Sequence, residues 1–205
     1  MSSLRHYLLP ATLYAAALAP VVNAGFGNSF YLGPWSGDAY IKKATYSLTS
    51  PSVITDYVTS DTSLWIAIWV GVQQSDEDVD NENLVQPLLN WCIDQEDCGF
   101  AVNSSTTLID QKVWLNGKLV AQQSDSAGMT PGVIYSANEC SDTNCGTLAS
   151  FSWTNFTLVF SEAVTDLNSY MSYNGASSSG LTTSDGGITW SVDAIAMGKD
   201  TTWDS

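Results

Sequence analysis

Cations are scarce in this 205-residue chain, which holds six lysine and arginine residues against 21 aspartate and glutamate. Arg5 is its only arginine and His6 its only histidine, and both lie at the very start. Beyond residue 24 no histidine remains, so Ser-His-Asp and Cys-His catalysis, imidazole bases, and His-ligated zinc or haem are excluded there. The lack of arginine removes the usual phosphate clamp, and no glycine-rich loop opens a helix to replace it. Nucleic acid and anionic lipid both need a basic footprint, which a net charge of −15 does not supply. No CxxC pair occurs, no helix-period run of useful length follows residue 25, and no apolar stretch is long enough to span a bilayer.

Residues 1–24 pair a short basic start with a brief apolar stretch and end in Val22-Asn23-Ala24, small residues three before and one before a cut. They read as a secretory signal peptide, and residues 25–205 as a single domain. The mature chain is then one unit more negative than the whole, and extracellular, with no membrane contact once the leader is cut. Its four cysteines meet an oxidising compartment. Three pairings are open to them; Cys92–Cys98 and Cys140–Cys145 are favoured, because each closes a small polar loop. Asn103-Ser104-Ser105 and Asn155-Phe156-Thr157 are glycosylation acceptor sequences at Asn103 and Asn155.

Short segments rich in Val, Ile, Thr, Trp, Tyr and Phe recur between Gly, Ser, Asn and Asp clusters, the pattern of an all-β chain. Strands are expected at 39–48, 64–73, 84–91, 99–102, 112–122, 132–137, 152–161 and 188–197. Asn116-Gly117 between apolar runs marks a tight hairpin. Residues 64–70 are apolar throughout, as a central strand is. Eight or more short strands without helices imply a two-sheet antiparallel β-sandwich, a jelly roll or a relative of one. The Ser/Gly-rich stretch 174–180 is expected as a surface loop before the last strand. The acidic run 76–82 lacks the glycine of a calcium loop and has Pro87 where its terminal glutamate would stand, so it is read as a solvated loop. No metal site and no cofactor are expected.

Gly33-Pro34-Trp35-Ser36-Gly37-Asp38-Ala39, Trp69-Val70-Gly71-Val72 and Leu84-Val85-Gln86-Pro87 occur in that order. They resemble the fungal glutamic peptidases (eqolisins) and their concanavalin A-like relatives, and residues 140–190 look more like an uncharacterised secreted fungal branch. The resemblance implies a concanavalin A-like jelly roll. By motif position it also implies a catalytic Gln86 paired with Glu162, which ends Leu158-Val159-Phe160-Ser161-Glu162. Such a dyad would make an acid endopeptidase, with Glu162 as general base and the Gln86 amide polarising the carbonyl. The peptidases carry an aromatic-rich strand after the glutamine, whereas this chain has Cys98-Gly99-Phe100-Ala101-Val102 there. Its eight tryptophans also suit a different task, and Trp35, Trp65 and Trp69 are candidates for lining a binding cleft. The leading expectation is therefore a secreted, non-catalytic module that binds an extracellular glycan or polypeptide, with the Gln86/Glu162 endopeptidase as the alternative.

Overall fold

The computed structural model describes residues 25–52, 54–56, 66–74, 84–89, 95–102, 105–140 and 145–203. The expected leader, the acidic run, Trp65, Cys92 and Asn103 lie outside the described residues. Among those described there is no α-helix, only a 3-10 turn at Leu167–Tyr170, and no helix long and apolar enough to cross a membrane.

Two antiparallel sheets form a sandwich. The five-stranded sheet runs β10 (Met171–Asn174), β1 (Gly25–Leu32), β8 (Val133–Cys140), β3 (Ile66–Gln73), β4 (Leu88–Leu89). The eight-stranded sheet runs β11 (Ala176–Ser179), β13 (Thr189–Met197), β9 (Phe151–Phe160), β2 (Ile41–Thr49), β5 (Gln95–Val102), β6 (Ile109–Leu115), β7 (Lys118–Asp125), and β12 (Thr182–Thr183) also pairs with β13.

Alternation decides which residues meet between the sheets. Strand β9 turns Trp153, Phe156, Leu158 and Phe160 inward, β13 turns Val192, Ile195 and Met197, and β2 turns Ile41, Ala44, Tyr46 and Leu48. From the opposite sheet Phe30, Leu32, Ile68, Val70 and Val72 close the layer. Tyr46 stacks on Phe156 of its own sheet at 5.4 Å and joins the two sheets through its hydroxyl, which donates to the Val70 carbonyl at 3.1 Å.

The hairpin read from Asn116-Gly117 is present: both residues have positive φ, 50° and 75°, and they join β6 to β7. Gly117 adopts that conformation without a Cβ clash. Strand β8 runs three residues past its expected end, to Cys140, and that cysteine is joined to Cys145 by a disulfide. The Ser/Gly stretch is not a loop. It turns at Gly175 and lays Ala176–Ser179 as β11 along β13, because small hydroxyl side chains fit an edge strand as readily as a loop.

Asn155 stands exposed inside β9 at φ 50°, where the pairing with β2 slips between Thr45 and Ser47. Asparagine tolerates the left-handed conformation that such a bulge demands. In protein from a non-glycosylating host, Asn155→Gly should melt close to the parent. Asn155→Ala should lose about 1 kcal/mol, a fall of ~2–4 °C by calorimetry.

Candidate functional site

The outer face of the five-stranded sheet carries two of the candidate residues, Trp69 and Gln86. On β3 the residues opposite the core-facing isoleucines and valines are Ala67, Trp69, Gly71 and Gln73. On β8 the corresponding residues are Tyr135, Ala137 and Glu139, and on β1 they are Ser29 and Tyr31. Register sets Trp69 beside Ala137, Gly71 beside Tyr135, and Tyr135 beside Tyr31. The exposed Phe26 lies opposite Glu139 at the far end. None of these residues is a lysine.

Gln86 joins this face from the edge. Val72 and Val85 exchange both backbone hydrogen bonds at 3.0 Å, and Trp69 pairs with Leu88. That register puts Gln86 alongside Gly71, where a Cβ on the glycine would come within 3.1 Å of the Gln86 Cβ. The Gln86 Oε1 is buried and has no hydrogen-bond partner.

Trp69 is 3% exposed and sits under its neighbours rather than on the surface. Tyr135 meets it edge-on at 5.1 Å, and Leu84 packs on the same small cluster. Tyr135 is itself fixed at its other end, where its hydroxyl donates to Gln73 Oε1 at 3.1 Å. Tyr31 lies 6.1 Å from Tyr135 with its ring tilted by 41°. Both tyrosines are half-buried, so they, with Trp69 as their support, make the aromatic strip that reaches the surface.

Glu162 is elsewhere. It follows β9, in the other sheet, and is exposed. The backbone there is tied to the β1–β2 connection: Ser161 N–H donates to the Tyr40 carbonyl, and Tyr40 N–H to Ser161 Oγ. Gln86 and Glu162 therefore do not share a face. The strand beside Gln86 offers Ala67, Trp69, Gly71 and Gln73 on the Gln86 side, with no carboxylate among them. Glu139, the one described acid on the face, is two strands away and four residues further along, a separation on the order of 15 Å by strand geometry.

No family model, curated protein or solved structure matches the chain.

Trp35 is 6% exposed, lies edge-on to Phe160 at 4.8 Å, and donates its indole N–H to the Ala39 carbonyl. It also lines a cleft of about 540 Å³ with Asp38, Tyr40, Gln74 and Thr130. Gln74, the residue after β3, is part of the cleft's lining. No group of three or more metal-ligating side chains occurs among the described residues.

Sequence reasoning missed Tyr31, Gln73, Tyr135 and Glu139. Strand β1 had no expected counterpart, since Gly25, Gly27 and Asn28 look like loop residues. Ending β8 at residue 137 hid the Tyr135, Ala137, Glu139 alternation, which is the signal that would have found this face.

Proposed function

We propose that the mature chain is a secreted, non-catalytic binding module of the glutamic peptidase-like, concanavalin A-like superfamily. It holds an extracellular neutral glycan on the outer face of its five-stranded sheet. The observation that carries this reading is the supported tyrosine strip: two half-buried rings 6.1 Å apart, one braced by Trp69 and tethered to Gln73, flanked by the amide of Gln86. Sugars pack their apolar C–H faces on aromatic rings and exchange hydroxyl hydrogen bonds with amides. With no cation among its described residues and a strongly negative chain around it, the face repels uronic acid or sulfated polymers.

The geometry gives the endopeptidase reading little support, because a dyad needs both members within hydrogen-bond reach of one substrate. Purified mature protein should leave a denatured protein substrate intact from about pH 2 to pH 7, the range over which a carboxyl group passes from protonated to fully ionised. Cleavage that is abolished by Glu162→Gln would restore the peptidase reading. The binding reading is tested by co-sedimentation with insoluble β-glucan, cellulose and chitin at acid pH. Retention on at least one, reduced by competing soluble oligosaccharide, is the expected result; no retention on any of them contradicts it.

A further inference from the structure

Strand β7 is the longest strand that is exposed throughout among the described residues. All eight of its residues, Lys118 to Asp125, are exposed, on both faces. Among the described residues it pairs only with β6, so its other edge presents unpaired backbone donors and acceptors. Among the described residues, two of the four exposed large hydrophobic residues, Leu119 at 43% and Val120 at 52%, are consecutive on it, one on each face. A bare edge of this kind is a template for another strand.

Charge selects the occupant. The chain carries −15 overall, so two copies repel each other over most of their surfaces. The β6–β7 hairpin is the exception: Asp110 and Asp125 are balanced by Lys112 and Lys118. The strand is also polar end to end, with Lys118 at its start and Asp125 at its finish. An antiparallel pairing of two β7 strands brings the lysine end of each beside the aspartate end of the other. A parallel pairing would set like charges together.

We propose that β7 is a self-association edge, on which a second copy of this chain adds its own β7 antiparallel and joins the two eight-stranded sheets into one. The pairing satisfies the open edge, covers Leu119 and Val120, and is self-complementary in charge, as a two-fold interface must be. The glycan face lies on the opposite sheet and stays open in such a dimer.

Sedimentation equilibrium of the mature protein across micromolar to near-millimolar concentration should show a monomer–dimer equilibrium. Lys118→Asp and Asp125→Lys should each weaken it roughly tenfold, and the double exchange should restore it, because opposite charges again meet. Hydrogen exchange followed as concentration rises should protect β7 amides while those of β13 stay unchanged. A protein that remains monomeric throughout overturns the proposal. So does a dimer that is indifferent to all three variants, or one whose concentration-dependent protection falls on another strand.

Discussion

Replacing Asp200 by alanine should lower the stability of the protein by about 2–5 kcal/mol, a fall of roughly 5–15 °C in melting temperature. Asp200 is 4% exposed and reaches into the end of the sandwich, where the C-terminal segment crosses from Met197 to Trp203. Its carboxylate accepts the Asn28 N–H at 2.8 Å and the Asn138 Nδ2 at 2.5 Å, and its backbone bridges Leu148 at 3.0 Å in both directions. Gly27 is fitted to it, for a Cβ there would stand 2.6 Å from the carboxyl group. Removing the carboxyl leaves two buried donors without acceptors, each a loss of about 1–3 kcal/mol.

The same residue makes stability depend on pH. Burial pushes the Asp200 carboxyl above its ordinary value, against the opposing pull of the Asn138 and Asn28 hydrogen bonds. Among the described residues β1 brings Gly27 and Asn28 to it, β8 brings Asn138, no ion pair reaches it, and the neighbouring Lys199 is exposed. A carboxyl whose folded pKa is raised contributes stability that is complete below its unfolded pKa of about 3.9 and is lost as pH rises through the folded value. Asp200→Asn should therefore melt higher than the parent at neutral pH and converge with it in acid. Asn138 can turn its amide to meet the new one, since its Oδ1 now has no partner. A parent and variant that differ equally at pH 3 and pH 7 would show that Asp200 does not titrate in this way.

Tyr135→Ala should weaken glycan binding by about 30-fold, the roughly 2 kcal/mol of a binding hot spot. Tyr135 is the ring that everything on the face fixes: Trp69 from one side, Gln73 at the hydroxyl, Tyr31 across the strand boundary. Tyr135→Phe keeps the ring and frees it from Gln73, so its loss should be several-fold smaller. Tyr31→Ala should resemble Tyr135→Ala, and neither should unfold the protein, because both side chains point away from the core. Equal binding by all three variants would remove the face from the account.

Much of the fold is legible in the sequence because its signals are local. Asn116-Gly117 dictates positive φ at two adjacent positions, the Trp153/Phe156/Leu158/Phe160 series marks a strand facing a core, and Cys140 with Cys145 closes the small polar loop that favoured this pairing. What stays hidden depends on partners distant in sequence. Strand β1 is glycine-rich and becomes a strand only because β8 and β10 flank it. Residues 176–179 carry only small side chains and become a strand through the register with β13.

The candidate site divides in the same way. Gln86 and Trp69 were readable as motif positions, and the structure brings them to one face. That Glu162 belongs to the other sheet is a matter of topology, which no motif records. No sequence signal singles out Asp200, since its surroundings come from Gly27, Asn28 and Asn138, which are distant in the chain.

The central claim is that one face of one sheet holds the ligand, and amide chemical-shift mapping with soluble laminari-, cello- and chito-oligosaccharides tests it most directly. At least one of them should shift a contiguous set of signals in β1, β3 and β8, centred on Tyr31, Gln73 and Tyr135. Perturbations confined to the eight-stranded sheet, or none with any of the three at millimolar concentration, would contradict it.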